Sequence, residues 1–236
     1  MSIQNDIAID LLLEGQITCT EATYIMSPAV KRVLNNTPKC TRQEMIDKVQ
    51  PCDILVVYTP RKHLQKSKAK AFRAKVMTSF QGSPFSSSKL VLDKNTISGY
   101  GVKAVKNVLT KASLRSYIKH LDEAILIRVP DLTPEQCAKI QKYFRLRIGM
   151  PYAGSQVFMS FWDRLFSRKL KPFFKDKPID PKAIEEMKEP LFCSSIIAAA
   201  YRAAGHQANF GKNIYDVWPR DFVTSESTEK ICRFEY

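Results

Sequence analysis

Histidine is scarce in this chain, with 3 in 236 residues, at His63, His120 and His206. That limits both near-neutral proton transfer and any metal site built on imidazole. The 6 cysteines, Cys19, Cys40, Cys52, Cys137, Cys193 and Cys232, form no CxxC pair, and none stands at zinc-finger spacing from a histidine. No metal or other cofactor is therefore expected. Scattered so thinly, the cysteines read as reduced, mostly buried thiols rather than as an extracellular disulfide framework. No window approaches about 18 consecutive apolar residues, so no transmembrane segment is expected. Met1–Asp10 lacks the basic-then-apolar pattern of a secretory signal and is interrupted by Asp6 and Asp10. The expectation is a cytoplasmic or virion-associated protein.

What is present suffices for a core: hydrophobic residues make up 44% and aromatics 10%, which excludes disorder as the default. The length fits one well-packed domain with an extension, or two small ones. A formal net charge of +14 favours a polyanionic neighbour: nucleic acid, anionic lipid or an acidic protein surface. Two stretches concentrate that charge, Arg61–Lys75, which contains no acid, and 164–177. Each also reads as a solvated, solubilising surface.

Residues 1–50 read as an appended helical segment, punctuated by Ser27-Pro28 and Thr37-Pro38. Within it, Thr41 and Glu44 make a capping box. Asp53-Ile-Leu-Val-Val-Tyr58 is a continuous, β-branched apolar run and predicts a buried strand. Lys89–Leu92 and Thr96–Ser98, joined across Asp93-Lys94-Asn95, predict a hairpin. Gly99 and Gly101 bracket Tyr100 and suggest a bend or bulge. Ala124–Val129 predicts another buried strand. Thr133, Pro134 and Gln136 then open a helix with an N-cap, Pro at its first position and a capping-box glutamine, and Gly149 closes it. Residues 151–190 are aromatic, basic and proline-punctuated, and read as an insertion. Phe192–Ala204 predicts a helix rich in small residues, stopped by Gly205.

Cys193 opens that last helix. A thiol there faces unsatisfied backbone N–H groups and the positive end of the helix dipole, both of which favour a thiolate. The bland alternative is a buried cysteine on a small-residue helix. The order of elements resembles the permuted branch of the papain-like superfamily, the NlpC-related hydrolases and lecithin-retinol-acyltransferase-like proteins. The residues that carry the resemblance are Asp53-Ile-Leu-Val-Val, Gly82-Ser-Pro-Phe-Ser86, Gly101-Val102, Ile125–Pro130, Gly149-Met-Pro-Tyr152, Phe192-Cys193-Ser194, Ala200–Gly205 and Trp218-Pro219-Arg220-Asp221-Phe222. They span roughly residues 51–236. The resemblance implies an α+β fold: a small antiparallel sheet packed on a cysteine-bearing helix, with an N-terminal helical extension. It also implies that Cys193 is the nucleophile. Where its pattern carries the activating histidine this chain has Ser87, and the third polar residue falls near Ser98 or Tyr100.

A serine hydroxyl cannot act as a near-neutral general base. His206 lies beyond the far end of the Cys193 helix, roughly 20 Å away at 1.5 Å per residue. His120 reads as a surface residue, and His63 reaches the cleft only if its basic segment folds back. Three readings follow: a catalytically impaired binding or structural protein, of the kind the resemblance associates with bacteriophage particles; an active thiol peptidase, amidase or acyltransferase on cell-wall peptide or lipid with an unusual base; or an engineered histidine-to-serine form of such an enzyme.

Overall fold

The computed structural model describes residues 27–58, 85–100, 108–153, 181–186, 189–206, 210 and 214–235. The basic stretch Arg61–Lys75, the segment 164–177, Gly82-Ser-Pro84 and Gly101 lie outside the described residues, as does His63.

Side chains that alternate between two faces, apolar on both, build the centre of the molecule. It is a six-stranded sheet of β1 (Ile54–Tyr58), β2 (Phe85–Asp93), β3 (Thr96–Tyr100), β4 (Leu109–Ser113), β5 (Ala124–Arg128) and β6 (Glu229–Phe234), in the order β4-β3-β2-β1-β5-β6. Every pairing is antiparallel. One face presents Ile54, Val56, Leu90, Leu92, Ile125 and Ile127 to a first buried cluster. The other presents Leu55, Val57, Val91, Ile97, Leu126 and Cys232 to a second. Both faces are covered by helices, so the fold is α+β with a two-sided sheet.

The first face carries α1 (Pro28–Asn36), α4 (Pro134–Arg145), α5 (Pro181–Glu186), α6 (Cys193–Ala203) and α7 (Pro219–Thr224), through residues such as Leu34, Phe144, Ile184, Ile197 and Phe222. The second is covered by α2 (Arg42–Lys48) and α3 (Leu114–Lys119), through Met45, Leu114 and Ile118. Residues 27–50 thus contribute apolar side chains to both layers. The two predicted capping boxes are formed. Thr41 Oγ1 accepts from Glu44 N at 3.2 Å while Glu44 accepts from Thr41 N, and Thr133 and Gln136 exchange the same pair of bonds.

Gly99 departs from its expected role. It pairs in register with Thr110 inside β3, and the irregularity falls instead in β2, between Val91 and Asp93. A Cβ on Gly99 would lie 2.5 Å from Lys89 Cδ, so the missing side chain is what lets Lys89 lie across β3. At the sheet's N-terminal entry Asp53 is buried, and its two carboxylate oxygens accept from Arg128 Nε and Nη2, each at 2.8 Å. Gln50 N donates to the same carboxylate at 2.8 Å. Burial raises the Asp53 pKa above the ordinary carboxylate value, and the Arg128 and Gln50 bonds oppose it.

Candidate functional site around Cys193

The helix α6 begins where Phe192, in an extended conformation, serves as N-cap without a side-chain hydrogen bond. Ile196 N closes the first turn on Phe192 O at 3.0 Å. Small residues over Ala198–Ala200 let the helix lie close to the sheet, and its residues from Cys193 to Tyr201 are all buried. Cys193 itself is 7% exposed and belongs to the first cluster. The Trp218-Pro219-Arg220-Asp221 motif acts as a helix start: Trp218 is the N-cap, Pro219 the first helical residue, and Trp218 N donates to Asp221 Oδ2 at 2.8 Å. The Trp218 ring packs on Phe192 at 5.4 Å between centroids. Ser194 Oγ donates to Val217 O at 2.5 Å, tying the turn before Trp218 to the residue after Cys193.

Register decides which serine faces this helix. Ser88 pairs with Val56, a residue of the Cys193 face, whereas Ser87 pairs with Val57 and Lys89 with Leu55, both of the opposite face. Side chains directly opposite each other in a ladder share a face. The strand therefore turns Ser88 toward the α6 layer and Ser87 away from it. Ser88 is 1% exposed, and its hydroxyl has no hydrogen-bond partner among the described residues. The same is true of Ser195 Oγ, two residues beyond Cys193. Ser98 pairs with Leu90 and so lies on the Cys193 face, fully buried, with its hydroxyl donating to Thr110 O at 3.0 Å. Tyr100 belongs to the same face; its ring meets Tyr152 edge-on at 5.0 Å and its hydroxyl donates to Pro151 O at 3.3 Å. Burial, reinforced by the charge of Cys193, holds the Tyr100 phenol above its ordinary range and so in its neutral form.

The residue sequence reasoning did not single out is Lys89. It is 3% exposed, and its ammonium donates to Ser87 Oγ at 2.5 Å and to Tyr100 O. Burial pushes its pKa down to about 8, opposed by the charge of Cys193. The two described histidines stand elsewhere. His120 is the exposed C-cap of α3, on the second face, and His206 follows Gly205 beyond the end of α6, its ring 6.1 Å from that of Tyr201.

No family model matches the chain. Over 143 residues it is 30% identical to the Escherichia coli (strain K12) protein named "Probable lipoprotein peptidase YaeF". The match covers 54% of this chain and 49% of that protein, so the chain spans about half the length of the relative. Away from Cys193, a cavity of about 360 Å³ opens between α4, α5 and the end of α6, with Lys139, Lys142, Arg147, Lys182 and Glu185 in its lining. Among the described residues, no helix is long and apolar enough to cross a membrane.

Proposed function

We propose that the chain is built on a permuted papain-like core in which Cys193 holds the nucleophile position and serine stands where the activating histidine would be. On this reading the protein is a binding or structural component rather than a working hydrolase. The observation that carries it is the sheet face shared by Cys193 and Ser88: a thiol on the first turn of a buried helix that packs on β2, and on that face of β2 a serine hydroxyl with no hydrogen-bond partner among the described residues. Similarity to a protein named as a peptidase supports the hydrolase ancestry. A serine hydroxyl can donate or accept a hydrogen bond, but it cannot take the thiol proton and return it to a leaving group near neutral pH. A role in a virus particle, in contact with nucleic acid or an acidic subunit, accords with the net charge of +14 and with the lysines around the α4–α5 cavity.

Lys89 favours a second reading, an active thiol peptidase, amidase or acyltransferase. Its buried amine, near 8, titrates in the range a general base needs. Its stem lies on the opposite face of the sheet, which weighs against direct proton transfer. The experiment compares the unmodified protein with Cys193→Ala, Ser88→His, Ser87→His and Lys89→Met, using a thiol-reactive probe and peptide and ester substrates. The first reading expects no turnover in the unmodified protein and a gain of about 10²-fold or more over that background in Ser88→His alone. Cys193-dependent turnover that vanishes in Lys89→Met would establish the second. Folded variants with no Cys193-dependent turnover, Ser88→His included, would remove thiol hydrolysis from the site's ancestry.

A further inference from the structure

Of the five cysteines among the described residues, two that are far apart in sequence meet at bonding range. Cys52 Sγ and Cys137 Sγ lie 2.6 Å apart across 85 positions. The two thiols are free and in direct contact, and a disulfide brings its sulfurs to about 2.04 Å. The surrounding geometry holds each cysteine in place. Cys52 adopts a left-handed backbone with φ of 69°, uncommon for a residue with a Cβ. It is pinned there by its own N–H, which donates to Val91 O at 2.8 Å, and by its carbonyl, which accepts from the buried Tyr201 hydroxyl. Cys137 sits in the first turn of α4, its N–H donating to Thr133 O at 3.0 Å, and Gln141 Nε2 approaches its sulfur at 3.6 Å. Cys52 is buried, while Cys137 is only half-buried and open to a small reagent.

We propose that Cys52 and Cys137 form an oxidisable dithiol that closes into a disulfide, clamping the entry of β1 to the first turn of α4. The oxidant is a small-molecule disulfide. Cys137 gives up its proton and attacks one sulfur of that molecule, expelling one thiolate and leaving a mixed disulfide. Cys52 then gives up its proton and attacks Sγ of Cys137, forming the Cys52–Cys137 bond and releasing the second thiolate. Two electrons pass from the protein to the reagent, and the two protons complete the two departing thiols. Cys52 is buried and Cys137 only half-buried, which makes Cys137 the first to meet the reagent.

The test uses the full chain incubated with oxidised glutathione, then alkylated, digested without reductant and mapped by mass spectrometry. The expected result is a Cys52–Cys137 linked peptide and an intact mass lower by two hydrogens. Because the link closes a loop of 85 positions, the oxidised protein should melt roughly 10 °C above the reduced one. That increment should be absent in Cys137→Ala, which should melt near the reduced form. Full alkylation of both residues after oxidation would overturn the proposal. So would a disulfide mapped only elsewhere, for instance between Cys40, whose N–H donates to Arg233 O, and the adjacent Cys232. The peptide map is made on the unmodified chain and stands whether or not the variant folds.

Discussion

Replacing Lys89 by methionine separates the cost of burying a charge from the value of its hydrogen bonds. Holding the ammonium at about 8 instead of its ordinary 10.5 corresponds to about 3 kcal/mol, at 1.36 kcal/mol per tenfold change in proton affinity. With the residue 3% exposed, water screens little of that cost. The sign follows from linkage. Below about pH 8 the lysine is charged in both folded and unfolded chains, and the native state bears the whole penalty. Between about 8 and 10.5 the unfolded chain binds more protons, so stability contributed by this group rises with pH; above 10.5 the penalty is gone. Methionine keeps the length and apolar stem but leaves the Tyr100 carbonyl and the Ser87 hydroxyl without their donor, which costs about 1–3 kcal/mol. At pH 7 the two effects nearly cancel, so stability at one pH is uninformative. The informative quantity is the difference between wild type and Lys89→Met in urea unfolding, followed from pH 7 to 10.5 under reducing conditions, where other titrating groups cancel. Wild type should gain on the variant by about 1.4 kcal/mol per pH above 8. A difference flat across that range would refute the buried, depressed amine.

Three further outcomes follow. Arg128→Met should cost about 3 kcal/mol in denaturant unfolding, because it strands a buried carboxylate at Asp53, and the loss should shrink as acid neutralises that group. Tyr201→Phe should cost about 1–3 kcal/mol by the same assay, since it leaves the Cys52 carbonyl without its donor inside the core. Binding to duplex DNA, measured by fluorescence anisotropy, should weaken with salt at about −0.9 in log–log slope per neutralised phosphate; salt-independent binding would leave the lysines around the α4–α5 cavity as solubilising surface.

Much of the central scaffold was legible because its signals are local. The runs Asp53–Tyr58 and Ala124–Val129 became β1 and β5, the Asp93–Asn95 turn joined β2 to β3, and the capping residues at Thr133 and the stop at Gly205 framed α4 and α6. The outer strands were not legible. β4 alternates buried Leu109 with half-exposed and exposed residues, and β6 opens on Glu229 and Lys230; neither carries a hydrophobic run. β6 finds its place by pairing with β5, about a hundred positions earlier in the chain, and by bonding to Pro38 and Cys40, relations no local window contains. Gly99 had a visible signal, a glycine inside a strand, but its cause was the lysine stem laid across it rather than a bend.

The identity of the serine facing Cys193 turns on the same limit. A resemblance in sequence order aligns a motif to within a residue, whereas a strand changes face with every residue. Which of Ser87 and Ser88 looks toward α6 is fixed by the pairing of β2 with β1, where Leu90 meets Ile54 and the alternation carries back to Ser88 opposite Val56. That one step separates two chemistries. On the α6 face stands a buried hydroxyl with no described partner, next to the layer that holds the thiol. On the other face stands a hydroxyl already bound to a buried ammonium. A histidine introduced at 88 would enter the first environment and one at 87 would displace Lys89 in the second. Equal gains of thiol turnover from both substitutions are therefore incompatible with this register.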